Sequence, residues 1–132
     1  MTPIDDLEAI GKDGIIQNKL NRMRQNGEVH VLDLFAGCGG LSLRFNTAGY
    51  EVVGGIEKND YAASTYAENI HQNASSAIKD FHSKARDIVE VNPEEYVKKH
   101  PHLTDVDHDI DVLVGGPPCQ AYTRVGRAKL RD

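Results

Sequence analysis

Apolar and polar positions along the chain switch between a strand-like and a helix-like period, and the switches predict a β/α succession. Val29 to Leu34 is a β-rich run with one internal Asp. Gly37, Gly39 and Gly40 end it, and Leu41, Leu43, Phe45 and Ala48 then lead to Gly49, so a strand-loop-helix unit is expected. Glu51 to Ile56 reads as a second strand. Asn59-Asp60 caps a helix through about Ile70, with Ala62, Ala63, Tyr66 and Ile70 on its apolar side. Asp111 to Gly115 is a further strand, ended sharply by Gly115-Gly116-Pro117-Pro118. This alternation predicts an α/β fold with a parallel, doubly wound sheet.

Elsewhere the pattern is weaker. Ile15, Ile16, Leu20 and Met23 stand at near-helical spacing with Lys19, Arg22 and Arg24 elsewhere on the turn, which predicts an amphipathic helix within residues 7–26. Gly11 and Gly14 weaken its start and Asn26-Gly27 stops it. A short strand near Ala85 to Ile88 is expected, then a helix from Pro93 to Lys99 with Pro at its first position.

The chain of 132 residues has room for one domain or a piece of one. Its net charge of −5 argues against autonomous nucleic-acid binding, although Arg124, Arg127, Lys129 and Arg131 concentrate positive charge after Cys119. The lack of a charged-then-apolar leader and of a long apolar run argues against secretion and membrane insertion. A reducing cytosol or nucleoid fits best, and a Cys38–Cys119 disulfide is disfavoured in that compartment. No metal is expected, because His100 and His102 flank a Pro in a polar loop, His71 and His82 are far apart, and neither cysteine belongs to a CxxC pair.

Two segments carry candidate chemistry. A glycine-rich turn between a strand and a helix lets backbone approach a ligand, and Glu57 ends the next strand, where a carboxylate can accept hydrogen bonds from ribose hydroxyls. The dinucleotide fingerprint G-x-G-x-x-G is broken here, since Ser42 takes the last glycine's place. Asp33, inside the strand, is expected to order the loop through backbone hydrogen bonds. Cys119 follows a strand and a rigid Pro-Pro, where a nucleophilic thiolate could stand.

The runs Phe35-Ala-Gly37-Cys-Gly39-Gly40 and Pro118-Cys119-Gln120, in this order, resemble the DNA cytosine-5 methyltransferase family. The resemblance extends to Gly55-Ile-Glu57-Lys58 and Arg86-Asp87-Ile88 and covers roughly residues 29–127. It implies a Rossmann-like, S-adenosylmethionine-dependent methyltransferase fold, with an incomplete parallel sheet and flanking helices. S-adenosylmethionine as cofactor would meet Phe35, Ala36, Gly37, Gly39, Gly40, Leu41, Glu57, Lys58, Asp87, Ile88 and Pro117. Phe35 would lie against the adenine and Asp87 near its amino group, the alternatives being a core Phe and a helix-capping Asp. Cys119 would attack carbon 6 of a flipped cytosine, with Gln120, Thr123, Arg124 and Gly126 on the DNA side. Cys38 falls at a position the family leaves variable and is expected to be small and packed.

Residues 1–28 are expected to form a helical extension, and 29–132 the N-terminal portion of the catalytic domain. The family's Glu-Asn-Val and Gln-x-Arg-x-Arg segments and its recognition region have no counterpart in these residues. The expectation is therefore a fragment or split subunit, inactive alone, which meets DNA through elements it lacks. A complementary polypeptide or self-association through an open sheet edge would complete it. Two alternatives stay open: a noncatalytic cofactor-binding module, and a transfer-RNA cytosine-5 methyltransferase.

Overall fold

The computed structural model describes residues 4–117 of the chain, with side chains from residue 11 onward. Three parallel strands, β1 (His30–Asp33), β2 (Glu51–Gly55) and β3 (Val112–Val114), pair in the order β2-β1-β3. Around them run α1 (Ile4–Arg24), α2 (Gly40–Thr47), α3 (Asp60–Ile70), α4 (Ser76–His82), α5 (Pro93–Lys99) and α6 (Val106–Asp109). The small parallel sheet with flanking helices has the α/β architecture that the alternation of strands and helices predicts.

The central strand is covered on both faces, as parallel sheets require. Alternation along β1 sends Leu32 to one side, where it packs with Ile56, Phe81, Tyr96, Val97 and Leu103. Val31 and Asp33, both 0% exposed, face the other side, where Asp33 meets Ser42 of α2. Consecutive glycines in β2 admit two aromatic side chains. A Cβ on Gly54 would strike the Tyr96 hydroxyl, and one on Gly55 the Tyr66 hydroxyl.

The two edges of the sheet differ. A register shift between Val31 and Leu32 leaves Val53 without a β1 partner, and its carbonyl accepts a hydrogen bond from His100 Nε2 at 2.8 Å. The Tyr96 hydroxyl donates to the Gly55 carbonyl at 3.4 Å. Side chains thus occupy the outer edge of β2. Among the described residues no strand pairs with the outer edge of β3, and Leu113 is 60% exposed.

That edge chemistry explains why no strand forms near Ala85 to Ile88, contrary to expectation. Beside β2, His100 and Tyr96 take the Val53 and Gly55 carbonyls, and the segment meets the edge only beyond them, where Arg86 N donates to the Glu57 carbonyl at 2.7 Å. The segment turns instead: Asp87 Oδ1 accepts from Val89 N at 3.0 Å and the Asp87 carbonyl from Glu90 N at 2.9 Å.

The first helix is fastened by its basic residues. It kinks at Gly11, whose φ is 73°, and its apolar residues Ile16 and Leu20 are exposed. Lys19 and Arg22 turn inward instead, toward the fully buried carboxylate of Asp111 just before β3. Arg22 pairs with Asp111 Oδ2, Lys19 lies 3.6 Å from Oδ1, and His30 N donates to Oδ2 at 2.8 Å. A buried carboxylate demands such partners, and long basic side chains reach it while burying their methylene stems.

His71, His82 and His100 converge, although His71 and His82 looked too far apart to meet. The His71 and His82 rings stack with centroids 4.0 Å apart, and His82 meets His100 edge-on at 5.4 Å. All three are buried. Parallel rings put their in-plane lone pairs in separate planes, so His71 and His82 cannot aim at one ion. Among the described residues no group of three metal-type side chains is arranged to hold a metal.

Candidate functional site

Chain geometry at the C-terminal end of β1 begins with the buried Asp33. Its Oδ1 accepts from Phe35 N at 3.2 Å and its Oδ2 from the Ser42 hydroxyl at 2.9 Å. The Tyr66 hydroxyl lies 3.3 Å from Ser42 Oγ, which completes a buried relay from Tyr66 through Ser42 to the Asp33 carboxylate. Burial above all pushes the Tyr66 hydroxyl's pKa upward, so it stays protonated and able to donate. Asp33 therefore ties the strand to both ends of the glycine loop. Ser42, the residue that breaks the dinucleotide fingerprint, fills a packed interior position where a glycine would leave Asp33 without this donor.

The loop itself runs through Gly37 (φ 55°) and Gly39 (φ 104°), two left-handed positions that favour glycine. Glu57, just past β2, closes the loop from below. Its Oε2 accepts from Gly37 N at 2.7 Å and its Oε1 from Asn59 N at 3.1 Å. Each carboxylate oxygen keeps a further lone pair. Gly39 is pressed against α3, since an added Cβ would stand 2.9 Å from Ile70, while Gly37, Gly40 and Gly116 face open space.

A cavity of about 440 Å³ opens beside this loop. Its lining includes Phe35, Gly37, Glu57, Lys58, Asp87 and Ile88 from the expected set, together with Leu34, Ile56, Arg86, Val89 and Gly116. Its size suits a small organic ligand. Ala36, Gly39, Gly40, Leu41 and Pro117 do not line it. Ala36 is buried behind the loop, donating from its N–H to the Ile56 carbonyl at 3.0 Å, and Leu41 is exposed on α2. Asp87 both lines the cavity and holds its own turn.

Cys38 is exposed rather than packed, because the left-handed glycines on either side of it push the loop outward. Its carbonyl accepts a hydrogen bond from Asn69 Nδ2 of α3 at 2.8 Å. Asn69 carried no expectation from its sequence position. Its one signal is a polar amide flanking the apolar Tyr66 and Ile70 stripe of α3. Cys119, Gln120, Thr123, Arg124 and Gly126 lie outside the described residues.

No helix among the described residues is long and apolar enough to cross a membrane. No solved structure matches the chain. Type II methyltransferase M.DdeI of Desulfomicrobium norvegicum is 35% identical over 104 residues, 79% of this chain and 21% of that protein. Type II methyltransferase M.AplI of Arthrospira platensis is 35% identical over 111 residues, 84% of this chain and 26% of that protein. DNA (cytosine-5)-methyltransferase PliMCI of Paracentrotus lividus is 35% identical over 107 residues, 80% of this chain and 6% of that protein. The chain spans about a fifth of the length of the first relatives it matches, 20% and 21%. The profile of the family described as C-5 cytosine-specific DNA methylase matches residues 29–132, which include the glycine loop, Glu57 and the Pro-Cys-Gln run. The chain belongs to that family.

Proposed function

We propose that the chain is the cofactor-binding and nucleophile-bearing part of a DNA cytosine-5 methyltransferase that uses S-adenosylmethionine. The observation that carries this reading is the Glu57 carboxylate, bonded to Gly37 N at 2.7 Å at the wall of a cavity next to a glycine loop. Residues 1–28 form its helical extension and 29–132 the N-terminal portion of the catalytic domain. Bacterial relatives named as type II methyltransferases support a cytoplasmic, nucleoid-associated role in restriction-modification.

The residues fit the cofactor. Glu57 has lone pairs left for the ribose hydroxyls, Phe35 and Ile88 offer apolar surface for the adenine, and Asp87 offers an acceptor for its amino group. Lys58 completes the wall, and open space over Gly37 and Gly116 leaves room for the ligand. Gly37 and Gly39 stand near the methionine part, Ala36, Gly40 and Leu41 complete the loop, and Pro117 leads to the nucleophile. When bound, S-adenosylmethionine supplies the methyl group.

Cys119 is the nucleophile. Its thiolate adds to carbon 6 of a cytosine flipped from the duplex, which makes carbon 5 electron-rich enough to be methylated. Loss of the carbon 5 proton then expels the thiolate. Gln120, Thr123, Arg124 and Gly126 lie on the DNA side, where the Thr123 hydroxyl and the Arg124 guanidinium suit phosphate oxygens. Recognition of DNA and handling of the cytosine ring nitrogen fall to segments that longer family members carry. Turnover is therefore expected only with a complementary polypeptide.

The test is tritiated-methyl incorporation into duplex DNA by the chain together with a polypeptide carrying the later family segments. Incorporation at cytosine carbon 5 that Cys119→Ser abolishes is expected, and full activity of that variant overturns the nucleophile. Methylation of transfer RNA in place of DNA would reassign the substrate.

A further inference from the structure

We propose that Asn69, outside the cavity and on α3, is a positioning residue that sets the affinity of the glycine loop for its ligand. The inference rests on the cofactor reading above. Three peptides of the loop lie between Ala36 and Gly39, and the first and the last of them are anchored. The Gly37 N–H is held by Glu57 at 2.7 Å, and the Gly39 N–H by the Ala36 carbonyl at 3.0 Å. The carbonyl and N–H of one trans peptide point in opposite directions. Asn69 Nδ2, donating to the Cys38 carbonyl at 2.8 Å, therefore pins the far end of the plane whose near end Ala36 holds.

That plane leads into Gly39, the residue that caps α2, so its orientation bears on how the unpaired first-turn N–H groups of Gly40, Leu41 and Ser42 are presented. Without the amide, this plane is held only at its Gly39 end, by the Ala36 carbonyl and the packing of Gly39 on α3, while the left-handed Gly37 before Cys38 faces open space. Gly39 packing on Ile70 and Tyr66 makes α3 the platform for the loop, and Asn69 is its one polar hold on the loop backbone among the described residues.

The experiment compares the parent chain with Asn69→Asp, which keeps the shape and loses the donor, and Asn69→Gln, which keeps the donor. Three quantities are read for each: S-adenosylhomocysteine affinity by calorimetry, amide hydrogen exchange across residues 36–42, and the ligand-free melting temperature. Asn69→Asp is expected to weaken binding about three- to tenfold and to speed exchange in the loop, at an unchanged melting temperature. Asn69→Gln should recover part of both losses. Unchanged affinity and exchange in Asn69→Asp overturn the proposal, as does a loss of affinity that follows a fall in melting temperature in both variants. If the parent and every variant fail to bind, the cofactor reading fails. The exchange rates then still decide whether Asn69 holds the loop.

Discussion

Arg22 in the first helix and Asp111 at the entrance to β3 form an ion pair in which the carboxylate side chain is 0% exposed. With Lys19 and His30 N on the same carboxylate, α1 and the β1–β3 pair are fastened at one point. Asp111→Asn keeps an acceptor for His30 N and removes the charge that Arg22 and Lys19 neutralise. The two bases are 33% and 18% exposed and can partly rehydrate. A loss of about 2 kcal/mol in urea unfolding is expected, below the full cost of stranding a buried charge. An unchanged midpoint would mean that the pair contributes nothing.

The histidine cluster makes stability depend on pH. Burial, foremost, lowers His71 to about 4 and His82 to about 3, against about 6.5 in an unfolded chain. Between those values the unfolded state binds more protons, so stability is full above pH ~6.5 and falls as the solution is acidified. At pH 5 each of the two rings costs about 2 kcal/mol relative to neutral pH. His71 Nε2 has no hydrogen-bond partner, so His71→Phe gives up no bond there. His100 is lowered too, by burial above all, so that variant is expected to flatten the pH dependence by about a third to a half, read from denaturation midpoints between pH 5 and 8. The same slope as the parent would count against the cluster as its source.

Among the described residues no strand pairs with the outer edge of β3, which carries Val112, Leu113 and Val114, and unpaired edges recruit other chains. Light scattering coupled to size exclusion should find a dimer or larger species across a dilution series. Leu113→Lys should shift it toward monomer. A parent that is monomeric at every concentration would show that this edge is covered.

Much of this was legible because it is local. Asn59 capping Ala62 N, the Ala63 and Tyr66 stripe of α3, and Pro93 opening α5 all lie within a turn or two of each other. The loop and Glu57 were legible through motif spacing, with Asp33 ordering the loop from inside the strand. What stayed hidden depends on pairs distant in the chain. Helical periodicity grouped Ile15, Ile16, Leu20 and Met23 and set Lys19 and Arg22 elsewhere on the turn, and only the buried Asp111 explains why those two bases turn inward. Ile88 and Val89 have strand propensity, yet His100 and Tyr96 already hold the β2 edge. The histidines meet only once α3, α4 and α5 pack together. α4 begins at the Ser75 cap and offers too short an apolar pattern to announce itself.

The central claim is that the cavity beside Gly37 takes S-adenosylmethionine through Glu57, and calorimetric titration with S-adenosylhomocysteine tests it most directly. The parent chain is expected to bind measurably, and Glu57→Ala, which removes both the ribose acceptor and the Gly37 anchor, to bind at least about tenfold more weakly. Equal binding by the parent and Glu57→Ala would contradict the account.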